Sequence, residues 1–192
     1  NAIAALVLKS DLTAYNAALA AVNQADYTVA SWAAYKLVVD ANVVTVANTQ
    51  AEVNTATSNI TTAQGSLVLK ADLTAYNTAL AAVNQADYTV ASWAAYKLVV
   101  DANVVTTENT QAEVNTATSN ITTAQGSLVL KADLTAYNAA LTAVNQADYT
   151  VASWAAYKLV VDANVVTTEN TQAEVNTATS NITVAQVSLV AI

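Results

Sequence analysis

The apolar positions along the chain follow a helical pattern. In residues 69–83 they are spaced alternately by four and by three residues, which places their side chains on one face of a helix. Polar residues interrupt the pattern at 84–89, where Asp87 and Thr89 are candidate N-caps of a second helix. The first predicted helix therefore presents one apolar seam, formed by Leu69, Leu73, Tyr76, Leu80 and Val83.

Two further helices are predicted after this turn. The second ends near Asn109, and its inward-facing positions are Trp93, Tyr96, Val100 and Val104. The third opens with Thr110 and Glu113, which match the Ser/Thr-x-x-Glu pattern of a capping box. Its seam is Val114, Ala117, Ile121, Ala124 and Leu128. Three helices of roughly 15 to 20 residues joined by short loops predict an all-α, up-down-up bundle.

This pattern occurs three times. The hexapeptide Asp-Leu-Thr-Ala-Tyr-Asn begins at Asp11, Asp72 and Asp133, which gives a period of 61 residues. The predicted domains are three-helix repeats at 1–64, 65–125 and 126–186, with the start of a fourth repeat at 187–192, so we read the chain as a segment of a longer array. The capping box recurs in each copy, as Thr49 with Glu52, Thr110 with Glu113, and Thr171 with Glu174.

One tryptophan and three tyrosines per repeat supply the large side chains of a small core. Heptad spacing favours a core position for the tryptophans over a platform on which a sugar would stack. We therefore expect two sets of core residues, one on the second helix and one in the seam of the third: Trp32, Trp93 and Trp154, and Ile60, Ile121 and Ile182.

The connection between repeats is predicted to be helical. The third-helix seam ends at Leu67 and the next first-helix seam resumes at Leu73. Six residues at about 100° each turn the apolar face by about 120°, so a single helix could serve two successive bundles. The glycines that follow two of the third helices favour a helix end, but Ala4 and Val187 at the equivalent positions argue against a left-handed cap. We expect a continuous or kinked helix, and tandem three-helix bundles stacked end to end in a stiff, spectrin-like rod.

Composition narrows the chemistry that the chain can perform. It has 14 acidic residues against six lysines, hence a formal charge of −8, with no His, Cys, Arg, Met, Phe or Pro and only two glycines. Nucleophile–imidazole pairs, His/Cys metal sites, phosphate-binding loops and a basic nucleic-acid surface therefore lack their residues. We expect no enzyme activity, no catalytic residue, no cofactor or metal site, and no nucleic-acid partner.

Hydrophobic residues make up 55% of the chain, but no apolar run approaches the ~18 to 20 residues that a spanning helix needs. No basic region precedes residues 2–8, so no signal peptide is predicted there. We expect that this segment does not insert into a membrane.

A few polar motifs have a functional and a structural interpretation. Asp87 could be a ligand, although N-capping explains it more simply. Lys97 and Asp101 lie four residues apart on the second helix and predict a solvated ion pair. The triplet Asn-Ile-Thr matches the glycosylation acceptor pattern, but its isoleucine lies on the third-helix seam, so packing accounts for it without a sugar. The candidate acceptors are Asn59, Asn120 and Asn181.

The second helix is apolar around most of its circumference. Besides its inward set it carries Leu98, Val99, Ala102 and Val105. A helix that is apolar on nearly all sides is buried on several of them. Either the partner helices of the bundle cover it, or Leu98 and Val105 remain outside and drive lateral self-association into a fibre or surface layer.

Two segments of each repeat resemble the FIVAR module ("found in various architectures"). In the second repeat they are Ala86-Asp-Tyr-Thr-Val-Ala-Ser-Trp-Ala-Ala-Tyr and Asn109-Thr-Gln-Ala-Glu-Val, followed by Ala117, Ile121 and Ala124. The resemblance implies a three-helix module of extracellular and wall-attached bacterial proteins, which is often present in tandem and has no shared catalytic site. Asparagine departs from the small apolar residue expected on the second helix at Asn42, Asn103 and Asn164.

Three functions are compatible with this sequence. The first is a structural stalk or spacer of an adhesin-like bacterial surface protein, located outside the cell, at the cell surface or in the wall, with neighbouring repeats as its partners. The second is a filament or surface-layer subunit that associates through the second helix. The third is a multivalent glycan- or protein-binding module, which requires an exposed aromatic patch. Its candidates are Tyr15, Tyr76 and Tyr137, or Tyr27, Tyr88 and Tyr149.

Overall fold

A computed structural model describes residues 9–192, and this part of the chain is all-α. Residues 2–8, on which the expectation about a signal peptide rests, lie outside the described residues. They include Ala4, which also enters the expectation about the repeat boundary. The described helices are α1 Thr13–Ala20, α2 Val29–Ala41, α3 Gln50–Gln64, α4 Thr74–Ala81, α5 Val90–Ala102, α6 Gln111–Gln125, α7 Thr135–Thr142, α8 Val151–Ala163 and α9 Gln172–Gln186.

The first helix of each repeat is shorter than its apolar pattern predicts. Helix α4 has eight residues and begins at Thr74, so the expectation that Leu69 starts this helix is wrong. The backbone N–H of Thr74 donates to Oδ1 of Asp72 at 2.8 Å, which ends the preceding extended segment. Leu69 is exposed in that segment, and its apparent heptad position is a coincidence of spacing.

Glutamines of the third helix hold the first helix at both ends. The side-chain oxygen of Gln50 accepts the N–H of Asp11 at 2.8 Å, and the side-chain nitrogen of Gln64 donates to the carbonyl of Ala18 at 2.6 Å. The carbonyl of Ala18 lies in the last turn of α1, where carbonyls lack a partner four residues on, and Asp11 lies two residues before Thr13, the first residue of the helix. The two bonds fix an eight-residue helix that would be marginal in isolation.

The expectation of a continuous helix between repeats is wrong. Helix α3 ends at Gln64, and α4 begins only at Thr74. Gly65 has φ −64°, so it continues the right-handed helix for one residue rather than forming a left-handed cap. Val187 takes the same φ at the end of α9, which explains why a β-branched residue is tolerated there. The uninterrupted helix on which the spectrin-like comparison depended is therefore absent from both connections that the structure describes.

Backbone contacts divide the chain into two compact units. One contains the described residues up to Asn77 together with Val104–Thr118, and the other contains Thr78–Asn103 and Ser119–Ile192. In the first unit, α3 packs against α1 and α2 around a core of Tyr15, Tyr35, Val53, Ala56 and Ile60. In the second, α9 packs against α7 and α8 around a core of Ala132, Tyr137, Ala140, Tyr157, Val175, Ala178 and Ile182.

Tyrosines, rather than the tryptophans, occupy the centre of these cores. Trp32 is half-buried and packs against the edge of the first core, while Tyr35 is 4% exposed. The rings of these two residues lie 5.1 Å apart and are tilted by 51°. Trp93 and Trp154 are half-buried in the same way. The three isoleucines of the third-helix seam are fully buried: Ile60, Ile121 and Ile182.

The second helix ends earlier than predicted, because an asparagine caps it. Asn103 follows the last residue of α5, and its side-chain nitrogen donates to the carbonyl of Val99 at 2.7 Å. The chain then turns, which leaves Val104 exposed and Val105 half-buried. The expected inward position of Val104 is therefore wrong, and of the two alternatives left open for Val105 the structure shows partial burial rather than an outward position.

Of the two candidate N-caps of the second helix, the structure places Thr89 at that position and Asp87 elsewhere. Asn84 begins a short 3-10 turn at Gln85–Asp87, and its Oδ1 accepts the N–H of Ala86 at 3.1 Å. Asp87 lies inside this turn, so it is not an N-cap of α5. That position belongs to Thr89.

Candidate functional site

The contact between successive repeats is a polar site that recurs with the repeat period in the described residues. Between the first and second repeats, which meet entirely within the first unit, an extended segment crosses the turn that precedes α2. Tyr27 and Leu69 form an antiparallel bridge. The N–H of Thr28 donates to the carbonyl of Val68 at 2.8 Å, and the N–H of Lys70 donates to that of Asp26 at 3.0 Å. We call this set of contacts the junction.

A serine hydroxyl joins the junction to the start of the second helix. The Oγ of Ser31 donates to the carbonyl of Thr28 at 3.1 Å and accepts the N–H of Val68 at 3.1 Å. The same hydroxyl lies 2.8 Å from the hydroxyl of Thr28. One side chain therefore ties the first turn of α2 to the backbone of the next repeat.

A carboxylate of the following repeat completes the junction. The N–H of Val29, the first residue of α2, donates to Oε2 of Glu108 at 2.8 Å, although the two residues are 79 positions apart. Nearby, the N–H of Ala71 donates to the carbonyl of Thr107 at 3.0 Å. The first N–H groups of a helix have no partner within the helix, and a carboxylate is favourable at this end of the helix dipole. Glu108 therefore acts as a cap for a helix of the preceding repeat.

The second junction repeats these contacts within the second unit. The N–H of Thr89 donates to the carbonyl of Val129 at 2.8 Å. The N–H of Lys131 donates to the carbonyl of Asp87 at 2.9 Å. The N–H of Val90 donates to Oε2 of Glu169 at 2.7 Å. Residues 190–192 lie against the third repeat in the same manner. There the N–H of Thr150 donates to Val190 at 2.8 Å, and Tyr149 bridges Ala191.

Neither tyrosine set forms the exposed aromatic patch that a binding module would require. The tyrosines of the first helices are buried in the cores: Tyr15, Tyr76 and Tyr137. The tyrosines of the junctions are half-buried: Tyr27, Tyr88 and Tyr149. The ring of Tyr27 stacks beside that of Trp32 at 6.3 Å. The aromatic residues of the junction thus pack on the chain itself.

A groove between the second and third helices is the second recurring feature. In the first repeat it has a volume of about 490 Å³. Its lining is apolar at Leu37, Val38, Ala41 and Ala63 and polar at Asn42, Asn59, Thr62 and Ser66. The third repeat has a groove of about 620 Å³, in which Val184 replaces the threonine. Leu37, Leu98 and Leu159 stand at these grooves, each 73% exposed.

Two asparagines meet on the polar side of this groove. The side-chain nitrogen of Asn59 donates to Oδ1 of Asn42 at 2.8 Å, and the same pair recurs as Asn120 with Asn103 and as Asn181 with Asn164. The nitrogen to which a sugar would be attached therefore already forms a hydrogen bond. Asn42 departs from the apolar residue expected there because it caps α2 and binds α3.

The charged side chains mostly form local contacts. Lys36 with Asp40, Lys97 with Asp101, and Lys158 with Asp162 form ion pairs in which more than half of each side chain is exposed. Thr49 donates its N–H to Glu52 at 2.7 Å and accepts the N–H of Glu52 on its hydroxyl at 3.3 Å, which completes the capping box. The box is also present at Thr171 and Glu174, and both bonds occur between Thr110 and Glu113.

The N–H and hydroxyl of Thr49 lower the pKa of Glu52, and the equivalent threonines lower the pKa values of Glu113 and Glu174.

In residues 9–192, no group of three or more His, Cys, Asp or Glu side chains is placed to hold a metal ion. No helix of this region is both long and apolar enough to span a membrane. In comparisons with protein families, curated proteins and solved structures, nothing matches this chain.

Proposed function

We propose that this chain is a non-catalytic spacer built from tandem three-helix modules stacked end to end, and that it serves as the stalk of a FIVAR-like, adhesin-type bacterial surface protein outside the cell. The observation that supports this proposal is the junction. Each described connection is held by backbone bonds and by a carboxylate from the following repeat, and these contacts recur with the period of the sequence.

The chemistry of the junction favours a fixed connection over a flexible linker. Flexible linkers are rich in glycine and serine and leave their backbone groups to water. Here Val68 and Lys70 bond to the preceding repeat: the carbonyl of Val68 accepts the N–H of Thr28, the N–H of Val68 donates to Oγ of Ser31, and the N–H of Lys70 donates to the carbonyl of Asp26. Each such bond contributes about 0.5 to 1.5 kcal/mol, so several acting together hold one repeat on the next.

Small-angle scattering tests the spacer proposal directly. Chains lengthened by whole 61-residue repeats should increase in maximum dimension by a constant increment, as expected for fixed connections. Lys70→Pro with Lys131→Pro removes two junction N–H donors and should broaden the distribution of distances. Lys70→Ala with Lys131→Ala keeps both N–H groups and should leave the distribution unchanged. The proposal would be refuted if the maximum dimension of the unaltered chain increased with repeat number as expected for freely jointed units.

A second candidate function, a filament or surface-layer subunit, is favoured by the exposed leucines at the grooves. Leu37, Leu98 and Leu159 recur with the repeat period, and exposed apolar side chains favour association when they meet a complementary surface. Sedimentation at high concentration distinguishes the two functions. A self-associating chain should become monomeric when all three leucines are replaced by glutamine, whereas a spacer should be monomeric before and after the change.

A further inference from the structure

The first repeat differs from the other two at one particular surface. It departs from both later copies at five positions, of which three lie in the described residues: Ser10, Val46 and Ala47. Two of these are direct neighbours, because the N–H of Ser10 donates to the carbonyl of Val46 at 3.5 Å. The differences are therefore gathered on one surface, which we call the leading face.

In the later repeats the leading face is the one that contacts the preceding repeat. Ala71, Thr107 and Glu108 occupy the positions of Ser10, Val46 and Ala47. Glu108 accepts the N–H of Val29, and Glu169 accepts that of Val90 in the same way. Alanine at position 47 has no carboxylate, so the leading face of the first repeat lacks the group that caps a helix of a neighbour.

The opposite surface of each repeat, at the start of its second helix, differs in burial according to whether a glutamate among the described residues reaches it. Thr28 and Thr89, which have a repeat after them, are buried, while Thr150 is half-buried. Val29 and Val90 are each 70% exposed, against 86% for Val151. Within residues 9–192, the N–H of Val151 has no glutamate partner. This surface therefore fits a repeat that brings a carboxylate to its first helical N–H.

We infer that the residue at the position of Glu108 determines the order of the repeats. A repeat with glutamate there links to the repeat before it, whereas the first repeat, with Ala47, does not form this link with any repeat placed ahead of it. The three near-identical repeats are therefore not interchangeable. The N–H of Val151 can form this link with a glutamate-bearing repeat. This inference concerns repeat order and does not depend on the role of the array as a spacer.

Amide hydrogen exchange in chains labelled with ¹⁵N in one repeat at a time tests the link. The first N–H of a helix exchanges quickly unless a partner outside the helix protects it. In the unaltered chain the amides of Val29 and Val90 should exchange about tenfold more slowly than that of Val151, the factor that a bond to a charged group supports. Glu108→Ala should remove the protection of Val29 alone, and Glu169→Ala that of Val90 alone. Each variant thus serves as the control for the other.

A longer chain tests the order itself. A copy of residues 65–125 is placed directly before residue 4, so that the leading face of the first repeat follows another repeat. The valine amide of the added copy, equivalent to Val90, should exchange as fast as that of Val151, and Ala47→Glu should slow it about tenfold. Ala47→Gln, which offers a neutral acceptor, should give a smaller protection.

Two results would overturn the inference: equal exchange rates for Val29, Val90 and Val151 in the unaltered chain, or slow exchange in the added copy while Ala47 is still present. Scattering that shows flexible joints would instead contradict the spacer proposal. The inference on repeat order is tested by the exchange rates and not by scattering. The two proposals therefore fail in distinguishable ways.

Discussion

The side chains of Asn42 and Asn59 form a hydrogen bond of 2.8 Å that joins the end of the second helix to the middle of the third. Asn42 also donates to the carbonyl of Val38 at 2.8 Å, so one amide both terminates α2 and attaches it to α3. Since C-terminal carbonyls of a helix lack partners within the helix, this residue satisfies a need that an apolar residue at the same place could not meet.

Replacing Asn42 by alanine should therefore destabilise the chain. The change removes both bonds, and at about 0.5 to 1.5 kcal/mol for each we expect a loss of about 1 to 2 kcal/mol in the free energy of unfolding. Chemical denaturation followed by circular dichroism measures this loss. Ser58→Ala, at an exposed position of the same third helix, should change the free energy by less than about 0.5 kcal/mol. An Asn42→Ala chain as stable as the Ser58→Ala chain would contradict the prediction.

Ile60 should be among the residues most sensitive to truncation. It is fully buried in the first core, so Ile60→Ala should cost about 2 to 5 kcal/mol and Ile60→Val about 0.5 to 1.5 kcal/mol. Thermal unfolding of the two variants gives the comparison. Leu37→Ala removes an exposed side chain of similar size and should have little effect on stability. A loss for Leu37→Ala that equals the loss for Ile60→Ala would show that the exposed groove is covered in solution.

Acid should weaken the chain through the capping boxes. The N–H of Thr49 lowers the pKa of Glu52 below its ordinary value, and Glu113 and Glu174 are lowered in the same way. A group with a lowered pKa in the folded state stabilises the fold above its unfolded pKa and loses this effect as the pH falls through the folded pKa. We therefore expect unfolding midpoints to be constant at neutral pH and to fall below the ordinary glutamate range.

The matched variant replaces all three glutamates by glutamine, which keeps an acceptor for the threonine N–H and does not titrate. This chain should lose part of the acid dependence. The remainder should come from Asp11, Asp72 and Asp133, whose pKa values are lowered by the hydroxyl and N–H of the threonine two residues on. An unchanged pH profile in the triple glutamine variant would contradict the assignment to the capping boxes.

Ser31→Ala should loosen the first junction. The change removes the acceptor for the N–H of Val68 and the donor to the carbonyl of Thr28. Since this site is partly exposed, water can replace some of these bonds, and we expect a loss of about 0.5 to 1.5 kcal/mol in the free energy of unfolding. Amide exchange of Val68 should accelerate while that of Val129, in the second junction, stays constant. Ser31→Thr keeps the hydroxyl and should preserve most of the protection.

Several features of the fold could be read from neighbouring residues alone. The capping box of Thr49 and Glu52 involves residues three positions apart, and the third-helix seam, including Ile60, follows a spacing that only a helix satisfies. The ion pair of Lys36 and Asp40 is likewise set by one helical turn. In each case the interacting groups lie within four residues of each other, so the spacing in the sequence is enough to predict the contact.

Other features depend on contacts that the spacing of residues does not reveal. The four-three pattern extends the first helix back to Leu69, yet the pairing of that residue with Tyr27 draws the segment into an extended conformation. Val104, expected on the inward face, is exposed because α5 ends at Ala102 and is capped by Asn103, well before the predicted end near Asn109. The apolar spacing in the sequence continues past a capping residue, although the helix itself ends there.

By itself, the sequence determined that the chain is helical, that it repeats every 61 residues, and which side chains of the third helix are buried, because these properties arise from local spacing. Only the tertiary structure decided how consecutive repeats are joined. The bond from Val29 to Glu108 spans 79 residues, and no local pattern distinguishes that glutamate from a solvated surface charge. Its role is defined by an unpaired helical N–H of another repeat, which exists as a partner only once both repeats have folded and come into contact.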